Sequence, residues 1–489
     1  MDRIMVSTAL PQIASEFGVA SMSTWVATSY ILTNTAFMPL CTKFSDIFGR
    51  KVIILSGIIT VMLGSLLGGL SQSFGMLLAG RAIQGLGCAG IYMIIADIVP
   101  LRQRGLYQSV IDTVYALSYT ISPLLGGVFS QYLSWRWIFY INLPLGAVSF
   151  TVLTFLLKLP TSRKGNFIDK VKRIDFAGII ILMACVVVFL IALNFGGRLY
   201  PWNSTLIVLL LLTSGILLLI LLLVESKFAK EPLIPIKLLS NRSLIGSFTS
   251  NAVFGGVYTS ALYFLPNYFQ VVKGDEPIWA SFRILPLLLV IPVISITVGI
   301  LISRFGIYRF FITGSMIVMA VGTGLISTFT VDTPWNGNGE HIHNDAIMFT
   351  GVAPMFSSII ISVQAVVPPS DVATATGVSF LLFDVGAAVG VAITYAVLNT
   401  KLDQMLPSTT IPAGMISAIV QDPTAIRRIL PQRYLQTALR IYASSLQEAW
   451  HVLIAFPAIG FVASLLIKHF VLRKRSNNDC EKEDNPPTN

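Results

Sequence analysis

The chain has 489 residues, 54% of them hydrophobic and 11% charged, with a mean hydropathy of +0.77. Soluble domains carry about 25% charged residues, so this composition defines a polytopic membrane protein and excludes a soluble fold. The net charge of +10 does not mark a nucleic-acid surface, because Lys and Arg are scattered between apolar spans with no basic patch interleaved with aromatics.

Met1 to Leu10 form an apolar stretch half a span long before Pro11, without the apolar region and cleavage site of a signal peptide. This predicts a first helix whose N-terminal half is missing or displaced. Apolar runs long enough to cross hydrocarbon follow near residues 22–41, 52–71, 75–99, 107–130, 137–157, 174–194 and 204–224. Others lie near 243–269, 281–302, 309–330, 346–368, 373–398 and 448–468. The total is about fourteen spans, an all-α polytopic fold with antiparallel neighbours. The longest connection, Asn399 to Gln447, carries Ile426, Ile429, Leu430 and Tyr434 at helical spacing and is expected to lie along the membrane surface. Cys41, Cys88 and Cys185 fall in spans and Cys480 in the tail, at no metal-ligand spacing. No disulfide framework, metal or cofactor is expected.

Between two of the spans stands Thr42-Lys43-Phe44-Ser45-Asp46-Ile47-Phe48-Gly49-Arg50-Lys51, a polar hinge that its charges place at a membrane face. Basic residues fall in alternate connections: Lys43, Arg50 and Lys51; Arg102 and Arg104; Arg163 to Arg173; Lys227 to Arg242; Arg304 and Arg309; Arg473 to Arg475. By the positive-inside rule these connections and the C-terminal tail are cytoplasmic, and an even number of spans puts the N-terminus inside too. The sequon Asn203-Ser204-Thr205 then lies on the non-cytoplasmic side and is the glycosylation candidate, whereas Asn241-Arg242-Ser243 lies inside.

Asp46, Gly49, Arg50, Lys51 and Leu55 resemble the loop motif between helices two and three of the major facilitator superfamily, with Thr42 where that motif usually opens on glycine. Leu77, Arg81, Gln84, Gly85 and Gly87 are similar to its fourth-helix motif. Pro123, Gly126 and Gly127 resemble the fifth-helix antiporter motif, with Ser118 and Ser122 in place of its preceding glycines. The run Trp135-Arg136-Trp137-Ile138-Phe139-Tyr140-Ile141-Asn142-Leu143-Pro144 resembles the opening of helix six in the fourteen-span drug:proton antiporter family. Asp2 with Val6 to Pro11, and Tyr263 to Pro266 with Tyr268 to Gln270, support the same likeness. Asp97 to Gly105 resembles the fungal branch containing vacuolar basic amino-acid transporters.

The resemblance implies two six-helix bundles, at residues 1–158 and 243–470, a linker at 159–242 bearing two extra spans, and a cytoplasmic tail at 471–489. It also implies a substrate cavity between the bundles near the bilayer midplane. Ser303 to Arg309 follows its span as Ser45 to Lys51 follows its own, a degraded repeat of the loop motif.

An ionisable group inside a span costs about 2.5–3.5 kcal/mol on insertion scales, so each one needs a reason. Arg81 has Gln84 three residues on, along the same helix face. The resemblance gives this pair a part in proton coupling; the alternative is an arginine that bonds backbone carbonyls to hold helices together. Asp112 and Asp384 lie inside their spans, suited to reversible proton binding or to a cationic substrate, or else paired with an arginine or capping a broken helix. Asp384 departs from the family's usual uncharged polar residue. Asp2 matches the family's helix-one acid, and is merely solvated if the helix begins at Met1.

Asp46, Arg50, Asp97 and Arg104, with Gly49 and Lys51, gather at the cytoplasmic face as a latch of charge-assisted pairs, the alternative being a solvated basic loop. Gly85 and Gly87, Gly126 and Gly127, and Gly386 and Gly390 let helices approach closely. Pro123, Pro266, Pro286 and Pro292 are expected to kink their helices. Trp135, Trp137, Phe139 and Tyr140 read as an interfacial anchor.

These expectations combine into a monomeric proton-coupled antiporter moving cationic small molecules, foremost basic amino acids, from cytosol into the vacuole. The alternative is a plasma-membrane multidrug exporter, and a remote one is a non-transporting sensor or remnant. No P-loop and no Ser/His or Cys/His arrangement is present, and His341, His343, His451 and His469 lie in connections or near a span end, so an enzyme is not expected. His341 and His343 beside Asp345 read as a solvated loop pair.

Overall fold

Within hydrocarbon a backbone N–H or C=O has no water to bond, so a spanning chain must satisfy its own groups as helix. The computed structural model follows that rule. It describes residues 2–18, 25–89, 104–157, 175–197, 200–227, 238, 240–333, 340–368, 371–412, 414–416, 419, 423 and 426–468. The first half contributes α1 (Asp2–Phe17), α2 (Trp25–Phe48), α3 (Arg50–Gly69), α4 (Phe74–Cys88), α5 (Arg104–Tyr132), the short α6 (Trp137–Tyr140) and α7 (Asn142–Leu156). A hairpin of α8 (Phe176–Phe195) and α9 (Thr205–Lys227) follows. The second half contributes α10 (Arg242–Tyr268), a π-helical turn (Phe269–Lys273), α11 (Pro277–Phe305), α12 (Arg309–Ile326), α13 (Glu340–Gln364), α14 (Val372–Met405), α15 (Ile426–Ile429), α16 (Gln432–Leu453) and α17 (Ala455–Leu465).

Among the described residues nine helical segments are long and apolar enough to cross a membrane, counting α6 with α7 and α16 with α17 as one each. Helices α1, α2, α4, α5 and α10 bring the packed rods to the expected fourteen. Helix α10 carries Ser243, Ser247, Ser250 and Asn251, all buried, and α2 carries buried Asn34, Thr35, Thr42 and Ser45.

In the first half α4 packs on α2 and α3, α1 on α5, and α7 on α3. In the second, α14 packs on α10 and α16, α13 on α11 and α12, and α17 on α10 and α12. The halves meet along two seams, α2 against α14 and α5 against α11 and α13, while α8 touches both α2 and α14. The architecture is two six-helix bundles with two extra helices laid against one seam.

The loop motif and its repeat do the same structural work in both halves. Gly49 (φ 99°) and Gly306 (φ 74°) each turn the chain with a left-handed residue between consecutive helices. Just beyond, Lys51 Nζ donates to the Thr154 and Leu157 carbonyls (2.7 and 2.9 Å) at the end of α7, and an Arg309 guanidinium N–H donates to the Leu465 carbonyl (3.3 Å) at the end of α17. Each cation covers carbonyls that a helix end leaves unpaired.

Two expectations are corrected. The connection after Asn399 is shorter than expected: α14 continues to Met405 and α16 starts at Gln432. Ile426 and Leu430 are buried in the second-half core, and Arg427 donates to the Val271 and Val272 carbonyls of the π turn. The polar residues of α16 lowered its hydropathy, but its Leu435, Leu439, Tyr442 and Leu446 share one buried face. Burial and the nearby Arg283 hold the Lys273 ammonium below the usual lysine range, and its Nζ donates to the Val331 and Thr333 carbonyls.

The second correction concerns the aromatic run. Trp137 is 49% exposed, as an anchor would be, but Trp135 and Phe139 are buried in the first-half core. The Trp135 indole N–H donates to Glu16 (2.6 Å), Arg136 pairs with the same carboxylate (2.8 Å) and donates to the Ser71 carbonyl, and the Tyr140 hydroxyl donates to the Gly69 carbonyl. The run thus clamps the non-cytoplasmic ends of α1 and α3. Pro286 and Pro292 lie inside α11 and Pro123 inside α5, and α10 passes into the π turn soon after Pro266.

Candidate functional site: the seam between the bundles

Arg81 is fully buried on α4. Its Nε donates to the Val26 carbonyl of α2 (3.0 Å), its Nη1 donates to Gln84 Oε1 (2.8 Å), and its guanidinium lies 4.5 Å from the Tyr30 ring centroid. Gln84 in turn donates to the Ser65 hydroxyl of α3 (2.6 Å), which also accepts from Asn142 of α7 (3.3 Å). One charged side chain therefore organises four helices, and the carbonyl-bonding alternative describes much of its surroundings. The close approach of α4 to α2 depends on Gly85, where a β-carbon would collide with Thr33 Oγ1 and the Tyr30 carbonyl.

Asp384 lies half-buried on α14 at the midpoint of the α2/α14 seam, and Thr35 of α2, itself fully buried, donates to its Oδ2 at 3.1 Å. That hydrogen bond runs directly from one bundle to the other. The chain neighbour of Asp384, Phe383, enters an aromatic cluster inside the second bundle: it lies 5.3 Å from Phe254, which meets Phe356 edge-on at 4.9 Å, and Phe356 meets Tyr258 at 5.3 Å. These rings come from α10, α13 and α14. Below them Asn251 donates to the Ser379 carbonyl and hydroxyl (2.7 and 2.9 Å). Helices α10 and α14 can pack this tightly because a β-carbon on Gly386 would collide with the Ala252 carbonyl, and one on Gly390 would lie 2.5 Å from Gly256 Cα.

At the end of the seam that holds the Thr42–Lys51 hinge, Arg104 of α5 donates to Gln364 Oε1 of α13 (2.8 Å), and Gln364 Nε2 donates to Thr376 of α14 (3.0 Å). Thr42 of α2 presses on Gly377 of α14 so closely that a β-carbon there would strike its hydroxyl. Within the hinge Arg50 donates to the Ser45 hydroxyl. The described polar contacts between the bundles thus lie from the middle of the seam to its hinge end.

Of the expected site residues, the structure brings Arg81 with Gln84, Asp384 to the seam, and Arg104 to the cytoplasmic closure. Gly126 is buried and Gly127 half-buried on α5. The Asp2, Asp46 and Asp112 side chains, the His341, His343 and Asp345 side chains, and Asp97 lie outside the described residues. Asn203 is exposed in the α8–α9 turn, and Asn241 caps α10 by accepting from the Ser243 N–H (3.0 Å). Thr35, Gln364 and Thr376 carry no charge; their signal is uncharged polarity inside apolar spans, and that of Gly377 is its lack of a side chain.

Two bundles of antiparallel spans, meeting on a polar seam with an acid at mid-depth, define a membrane transport protein. The chain belongs to the Major Facilitator Superfamily, whose family model matches residues 1–391. It is 34% identical over 479 residues to the protein named efflux pump dotC of Dothistroma septosporum, covering 96% of this chain and 80% of that one. It is 31% identical over 504 residues to the protein named efflux pump FUS6 of Gibberella fujikuroi, covering 100% and 90%. Among solved structures it resembles the human organic anion transporter MFSD10 (TM-score 0.56, 15% identity, 92% of this chain and 88% of that one). The proton:xylose symporter XylE is similar in fold (TM-score 0.55, 13% identity, 96% and 92%). It is a multi-pass integral membrane protein of a transporter family, not an enzyme.

Proposed function

We propose that this protein is a secondary active exporter that moves lipophilic organic cations out of the cytosol by alternating access, in exchange for protons. The observation that carries the reading is Asp384, half-buried at the seam and hydrogen-bonded to Thr35 of the other bundle. A carboxylate there supplies charge for a cation or a place for a proton. Competition of cargo and proton for one acid gives antiport without any further energy source. The contacts at the cytoplasmic end suit an arrangement closed on that side. Export takes precedence over vacuolar uptake of basic amino acids because relatives more than 30% identical are named efflux pumps. It also favours the plasma membrane as the site of action. Of the stretch Asp97 to Gly105, which suggested vacuolar uptake, residues 97–103 lie outside the described residues.

Reconstituted into proteoliposomes, the protein should move fluorescent organic cations faster with an opposing proton gradient than without, and Asp384→Asn should abolish the difference. Equal rates with and without the gradient would overturn proton coupling. Preferential movement of labelled lysine over every dye would restore the amino-acid reading.

A further inference from the structure

The α8–α9 hairpin lies across the α2/α14 seam and is fastened to both sides. On α2, Leu32, Ala36 and Phe37 pack with Leu182 and Val186 of α8, the Trp25 ring meets Phe195 edge-on at 5.6 Å, and Thr28 donates to Asn194 Oδ1 at 3.4 Å. On α14 the outermost tie is Asn399, whose Nδ2–H donates to the Gly197 carbonyl at 2.9 Å. The turn itself is braced, since the Gly197 N–H donates to the Tyr200 carbonyl (2.9 Å) and Gly197 takes a left-handed φ of 72°.

Two buried polar atoms beside this turn have no hydrogen-bond partner. Asn399 is only 8% exposed, and because its Nδ2 must face the Gly197 carbonyl, its Oδ1 is left as an orphan acceptor. The Trp202 Nε1–H is an orphan donor, and a β-carbon on Gly197 would lie 2.6 Å from that nitrogen. A complementary donor and acceptor thus flank the same glycine unpaired, an arrangement costly in itself. On the alternating-access reading, opening the cytoplasmic side separates Thr42 from Gly377 and shifts α14 relative to α2. The hairpin packs on α14 through Leu381, Val385 and Ala388 as well as on α2, but its turn end is tied to α2 by Trp25 and Thr28, so the shift moves Asn399 relative to Gly197.

We propose that Trp202 and Asn399 form a second hydrogen bond, from Trp202 Nε1–H to Asn399 Oδ1, when the cytoplasmic side opens. The hairpin is then an outer latch with one bond for each state: Asn399 to Gly197 when the cytoplasmic side is closed, Trp202 to Asn399 when it is open. The inference rests on the alternating-access reading above but not on any cargo.

Spin labels at Tyr107→Cys and Phe305→Cys, exposed at the cytoplasmic ends of α5 and α11, report opening as a longer distance in nanodiscs without substrate or gradient. Cys41, Cys88, Cys185 and Cys480 are replaced by serine in this background. Trp202→Phe keeps an aromatic ring and removes the N–H, so the cytoplasm-open fraction should fall roughly tenfold, with the melting temperature kept. An unchanged distance distribution, with or without a lower melting temperature, overturns the latch. Should Trp202→Phe fail to fold, the ¹⁵N indole resonance of Trp202 in the parent decides. Two positions whose ratio follows the spin-label distances support the latch, and one position throughout refutes it. Since no transport is measured, failure of the latch leaves the export reading standing, and failure of export leaves the latch testable.

Discussion

Replacing Gln364 with leucine nearly preserves side-chain volume and deletes two hydrogen bonds of different kinds. The bond to Thr376 (3.0 Å) joins α13 to α14 within the second bundle, so it is worth the same in every state. The bond from Arg104 (2.8 Å) crosses between bundles, and on the proposed alternating access it is made only when the cytoplasmic side is closed. Gln364 is 5% exposed, so water offers little compensation. A hydrogen bond to a charged group contributes about 1.5–3 kcal/mol and a neutral one about 0.5–1.5 kcal/mol. At about 1.4 kcal/mol per factor of ten, Gln364→Leu should shift the balance toward the cytoplasm-open state roughly 10- to 150-fold. The loss of the internal bond should separately lower the melting temperature. Spin-label distances between residues 107 and 305 read the first effect and thermal denaturation the second. Arg104→Ala should shift the distances in the same direction, and the double variant should go little further than Arg104→Ala alone. A lower melting temperature with unmoved distances, or fully additive shifts, would refute the assignment of this bond to the gate.

Gly386→Ala drives a methyl into the Ala252 carbonyl and should cost about 1–3 kcal/mol, seen as a lower melting temperature; Gly314→Ala, with nothing within 4 Å, is the control that should not. Lys51→Met and Arg309→Met each uncover helix-end carbonyls and should destabilise by a similar amount, about 0.3–1 kcal/mol, and a large effect of one alone would break the equivalence of the two halves. Asn203→Gln should remove any glycosidase-sensitive mass, while Asn241→Gln should leave it, and the reverse would invert the topology.

The rods themselves were legible because apolar length is a strong signal. Helix α16 was not, since its exposed face carries Gln432, Arg433, Gln436 and Arg440, which lower the mean hydropathy, and only periodicity betrays its buried face. In the site, Arg81 and Asp384 stood out by the cost of burying charge. Their partners did not, because a Thr or Gln inside a span looks like any satisfied polar residue until the opposite helix is known: Thr35 lies 349 residues from Asp384, and Gln364 lies 260 from Arg104. Trp135 was misread as interfacial for a related reason. The carboxylate that satisfies its indole N–H, Glu16, comes from another helix 119 residues away.

The division between interdigitated and hydrogen-bonded contacts explains how such a protein moves. Inside the second bundle, α10 and α14 interlock through Gly255, Gly256, Gly386 and Gly390, where backbones touch with no room for a methyl. Such surfaces cannot slide without losing contact along their whole length. Across the seams the described polar ties include Thr35 with Asp384 and Arg104 with Gln364. Reversing a two-state balance from 1:99 to 99:1 takes about 5.5 kcal/mol, comparable to two or three such bonds. On the proposed exchange, a gate of that strength would yield to the binding of one cargo or one proton. It also accounts for the polarity of α2 and α5. Helices that repeatedly make and break contacts between bundles need partners that water and cargo can replace, and in hydrocarbon those are hydroxyls and amides on surfaces never fully turned to lipid.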